Sequence, residues 1–124
     1  MMFTSRRIIE PVTLLRVGLA EASAQVLLAL LGHFVAWAGG HLVFPAGIMI
    51  AAAGGFFYAR EIDKGYARGA LGGALAGGVG AAIGTAVLVA LQDVTVYELA
   101  FRTGVSILAG VLGGLIGQIA ANRA

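Results

Sequence analysis

The chain is written in long apolar blocks separated by short polar ones. Residues 69–91, GALGGALAGGVGAAIGTAVLVAL, carry no charge between Arg68 and Asp93, and a helix of that length crosses a hydrocarbon core of about 30 Å. The block at residues 22–38 predicts a first span with Trp37 at an interface, and Gly39 and Gly40 as its stop. Pro45 then restarts a helix, giving a second span over residues 45–63, and a fourth runs over about residues 100–121. Residues 1–21 form an amphipathic lead-in, helical from Pro11, in which Glu10, Thr13, Arg16 and Glu21 stay near water. The expectation is an all-α integral membrane bundle of four transmembrane helices. The alternative lays residues 1–38 on the membrane surface and leaves three spans.

Small residues are spaced as helix faces. Gly69, Gly73, Gly77 and Ala81 recur every fourth position, and Gly72, Ala76, Gly80 and Gly84 form a second row. The fourth span repeats the spacing with Ala109, Gly113, Gly117 and Ala121. In lipid, backbone amides must pair within the segment, so such a stretch is helical despite its glycine content, and its bare faces suit close helix contacts. Glycine-zipper packing is therefore expected through Gly69, Gly73, Gly77, Gly80, Gly84, Gly110, Gly113 and Gly117.

Composition agrees with a bilayer setting. The 124 residues are 60% hydrophobic and only 11% charged, with a mean hydropathy of +0.96, whereas a soluble domain carries about 25% charged residues. A formal charge of +2 without a basic run gives no basis for binding nucleic acid. The absence of cysteine removes disulfides, thiol chemistry and Cys-ligated metal. Glu10, Arg16 and Glu21 interrupt what a cleaved signal peptide would need as an apolar run, so residues 1–124 read as one membrane domain. Arg6, Arg7, Arg16, Arg60, Lys64, Arg68 and Arg123 all fall on one side of a four-span arrangement. The positive-inside rule puts that side, with both termini, in the cytoplasm.

Candidate chemistry is sparse. His33 and Trp37, in the run HFVAW, are similar to the HxxxW arrangement of influenza-type proton channels, which makes them a candidate proton relay. The plainer reading anchors Trp37 at an interface and lets His33 bond across helices. His33 with His41 is a poor metal set. Arg60, Glu61, Asp63 and Lys64 read as ion pairs at a helix end. The glycines lack the GxxxxGK[ST] spacing of a phosphate loop, and Ser23 or Ser106 with His33 and Asp93 has no supporting pattern for catalysis. The expectation is a non-enzyme without cofactor, metal or identified small-molecule substrate.

Residues 54–65, GGFFYAREIDKG, resemble a stretch in small membrane proteins of tailed bacteriophages, where an apolar helix ends G-x-x-[FY]-x-x-R-E-[IH]. Phe57, Tyr58, Arg60 and Glu61 stand at the matching positions. The resemblance implies a holin-like protein that oligomerises in the bacterial inner membrane and permeabilises it for host lysis. A phage virion or genome-injection membrane protein is one alternative, and a small proton or ion channel or transporter is another. In each case the bilayer is the partner, and a homo-oligomer is expected.

Overall fold

The computed structural model describes residues 11–123, which form five helices: α1 (Pro11–Phe34), α2 (Ala36–His41), α3 (Val43–Ile62), α4 (Tyr66–Ala90) and α5 (Val96–Arg123). All but α2 are long and apolar enough to cross a membrane, so the chain is an all-α, multi-pass membrane protein. Arg6, Arg7 and Glu10 lie outside the described residues.

The first long helix begins at Pro11 as expected and ends at Phe34, so the lead-in from Pro11 is continuous with the apolar block and residues 22–38 are not one helix. Thr13 and Glu21, expected near water, are buried, because the face that carries them turns towards α3 and α4 rather than outwards. The stop is Val35, whose extended backbone (φ −118°, ψ 101°) separates α1 from α2. In a continuous helix Gly32 and Gly39 would stand about 10 Å apart along the axis. Here a Cβ built on Gly32 would lie 3.2 Å from Gly39 Cα; the chain folds back on itself at this point. Gly39 and Gly40 are inside α2, and Pro45 falls in the first turn of α3, where its missing N–H removes no helical bond.

Between α3 and α4 the turn is made by Asp63 in a left-handed conformation (φ 47°) and Gly65 (φ 101°). Helix α3 therefore ends at Ile62, with Asp63 as its cap. At the start of α5, the Glu98 amide donates to Thr95 Oγ1 at 3.2 Å, a side-chain cap that begins the helix a turn before residue 100.

Consecutive long helices run in opposite directions, which puts the start of α1, the α3–α4 turn and the end of α5 at one end of the bundle. Arg16 pairs with Glu61 there, and Gln118 Nε2 donates to Asp63 Oδ1 at 2.7 Å. At the other end His33 meets Asp93 at 2.9 Å. Helix α4 packs against α1, α3 and α5; α3 also touches α1 and α5, whereas α1 and α5 do not pack on each other.

The interior is made chiefly of backbone and methyl groups. Ala29, Ala51, Ala59, Ala76 and Ala81 are buried, and among the described residues Tyr58 is the only large side chain with less than 2% exposure. Leu15, Leu27, Met49, Phe57, Leu108 and Leu112 point outwards. That distribution suits a solvent of lipid tails, in which exposing leucine costs nothing and helices associate by close contact.

Candidate functional site

A line of polar side chains runs through the bundle along the inner face of α1. That face is Thr13, Glu21, Gln25, Ala29 and Gly32, one residue per turn or two turns along a single stripe. Glu21 is 4% exposed, and neither carboxyl oxygen has a hydrogen-bond partner. It fits because α3 and α4 present glycine to it. A Cβ on Gly80 would sit 2.8 Å from Glu21 Oε1, and one on Gly54 would overlap Oε2.

One turn further on, Gln25 is buried between Gly47 and Gly84. Its Nε2 donates to the Gly47 carbonyl at 3.0 Å, while a Cβ on Gly84 would stand 2.7 Å from Gln25 Cβ. Gln25 also lines a cavity of about 20 Å³ with Thr85, Ser106 and Arg102, room for about one water molecule. Thr85 and Ser106 are themselves buried.

Arg102, Val43 and Leu88 separate this cavity from a cleft of about 390 Å³ at the end of the bundle. Four charged or titratable groups surround the cleft: His33, Asp93, Glu98 and Arg102. His33 Nδ1 lies 2.9 Å from Asp93 Oδ2, and Arg102 donates to Glu98 Oε2 at 3.3 Å while lying 5.1 Å from the Phe44 ring centre. At the opposite end Glu21 borders a cleft of about 340 Å³ between α1 and α3, lined by Arg16, Val17, Ala20, Ala24, Ile50 and Phe57.

The two residues of the HxxxW run are placed in different settings. His33 is in α1 and reaches Asp93, whereas Trp37 is in α2 and stacks on His41, ring centres 5.3 Å apart. The break at Val35 lies between them, so the one-turn spacing of a continuous helix does not relate them.

The expected packing glycines are all buried at contacts between helices. Gly69, Gly73 and Gly77 face α5: a Cβ on Gly77 would stand 2.7 Å from the Ser106 carbonyl, and one on Gly69 3.2 Å from the Gly114 carbonyl. Gly80 and Gly84 face α1 through Glu21 and Gln25; Gly113 and Gly117 of α5 abut the backbone of Ala52 and Phe56, and Gly110 abuts Gly73. Sequence reasoning overlooked a further row on α3. Gly47, Ala51, Gly55 and Ala59 are buried at four-residue spacing, a signal as regular as the one on α4. It also missed Glu21 and Gln25, although Thr13, Glu21, Gln25 and Ala29 share one helical stripe.

The phage-like segment lies at the end of α3. Tyr58 is enclosed against Gly72, Glu61 pairs with Arg16, and Phe57 faces outwards. No protein-family model, no curated protein and no solved structure matches the chain.

Proposed function

We propose that this protein is a small, non-enzymatic transport protein that passes protons or small cations through its own helix bundle. The observation that carries the reading is the polar line Glu21–Gln25–Thr85–Ser106, buried in the middle of apolar spans and flanked by a cleft at either end. Glu21 and His33 are about 18 Å apart along α1 at 1.5 Å per residue, over half the thickness of a hydrocarbon core. Ionisable and polar groups at that depth are costly and mark ion pathways. The phage-like segment supports a bacterial inner membrane as the setting. The end bearing Arg16, Arg60, Lys64, Arg68 and Arg123 then faces the cytoplasm.

The holin-like reading needs lateral association of copies. The eight glycines expected to supply it are already engaged between helices of one chain, which favours the transport alternative.

The test is flux in vesicles containing the purified protein. An imposed membrane potential should change the internal pH, or move sodium or potassium, while a trapped dextran stays inside. Dextran release would return the holin-like reading to first place. Vesicles no leakier than protein-free ones, with the protein inserted, would remove the transport reading.

A further inference from the structure

Resting on that reading, and deepening it, we infer that Glu21 is the proton-binding site of the pathway, reached from the cleft between α1 and α3. Three observations converge on the proton as its ligand. First, both carboxyl oxygens are buried without a partner. A carboxylate in apolar surroundings without a donor or counter-charge is far costlier than the neutral acid.

Second, no charged side chain is bonded to it. Helix α4 carries no ionisable side chain between Arg68 and Asp93. On α3 the titratable groups nearest to Gly54 in sequence are Tyr58, one turn on, Arg60, and Glu61, which is bonded to Arg16. On α1 itself the neighbouring polar groups are Arg16, which lines the same cleft and pairs with Glu61, and the neutral amide of Gln25, already donating to Gly47.

Third, the cradle fits a carboxylic acid and not a metal ion. Glycine at 54 and 80 lets the α3 and α4 backbones close directly on the two oxygens. Hard cations need several oxygen ligands around them, and among the described residues no three His, Cys, Asp or Glu side chains are gathered. A proton needs no such shell. The adjoining cleft of about 340 Å³ gives a route by which it arrives and leaves.

The experiment is labelling with a hydrophobic carbodiimide in membranes. The protonated acid adds across one C=N bond: its oxygen bonds to the central carbon and its proton passes to nitrogen. Acyl transfer from oxygen to nitrogen then leaves a stable N-acylurea, carrying the whole mass of the reagent without loss of any group. The expected result is modification mapped to Glu21 at neutral pH and unaffected when sodium chloride replaces choline chloride. It should be lost in Glu21→Gln.

An unmodified Glu21, under conditions where a carbodiimide-reactive control protein in the same membranes is labelled, would overturn the inference. Protection by sodium would also overturn it, by making the site a cation site. Vesicle flux separates the two readings. Labelling without any ion movement leaves the proton site and removes the transport function. Proton movement that is undiminished in Glu21→Gln leaves the function and removes the site.

Discussion

Gly73 of α4 and Gly110 of α5 face each other so closely that a methyl group built on either would overlap the other's carbonyl oxygen. The contact is reciprocal, backbone against backbone, and leaves no flexible side chain to yield. Gly73→Ala or Gly110→Ala should therefore cost about 1–3 kcal/mol, the range for overpacked interiors. Gly18→Ala and Gly104→Ala, with nothing within 4 Å of the added methyl, should be neutral or slightly stabilising. Thermal unfolding in detergent compares the four. Equal behaviour of the two pairs would refute the close-packing account.

Tyr58 fills the largest enclosed position of the bundle and lies against Gly72. Tyr58→Ala should cost roughly 3 kcal/mol or more by opening a cavity, and Gly72→Ala should also destabilise by pushing on the ring. Combining them should cost less than the sum, because the smaller side chain relieves the clash. Additive losses would show that the two residues do not share one space.

Gln118 ties three segments together. Its Nε2 donates to Asp63 and to Asn122 Oδ1 (2.8 Å), and its Oε1 accepts from the Gly65 amide at 3.0 Å. Gln118→Ala should free the α3–α4 turn, at a cost of about 1–3 kcal/mol for the partners left unmatched. Trypsin cleavage after Lys64 reads this directly: faster cutting is expected, with Gln118→Glu intermediate because it keeps the acceptor. Wild-type cutting rates in Gln118→Ala would dismiss the clasp.

With no native cysteine, topology can be read by single substitutions. Lys64→Cys and Arg123→Cys should react with an impermeant maleimide from the same side of the membrane, and Val94→Cys from the other. Residues 64 and 123 reacting from opposite sides would contradict the four-span arrangement.

The fold was legible in sequence where one physical signal dominated. Charge-free length marked α4, and the glycines spaced four apart on it are buried against neighbouring helices. The enclosure of Glu21 was not foreseen, because it was taken as a residue that must meet water. Whether a carboxyl lies outside or is enclosed depends on what the facing helices present, here Gly54 and Gly80, more than thirty and nearly sixty residues away. The break at Val35 was missed for a related reason. Its cause is the return contact between Gly32 and Gly39, which local propensity does not encode, whereas the expected stop at Gly39 and Gly40 followed water-based rules. The cleft formed by His33, Asp93, Glu98 and Arg102 joins residues from α1, α5 and the connection before α5. Only the folded arrangement assembles it.

An interior built from glycine and alanine has a thermodynamic consequence. These residues have no rotamers to freeze, so bringing the helices together costs almost no side-chain entropy, whereas ordering a leucine costs about 0.5–1 kcal/mol. Many of the residues that do have rotamers, such as Leu27, Met49, Leu108, Leu112 and Ile116, stand outwards and keep their freedom among the lipid chains. The bundle can thus hold its backbone rigidly while its surface stays fluid. Among the described residues Glu21 is the one buried carboxyl in that interior, and a change in its charge acts on helices with few other side chains to absorb it.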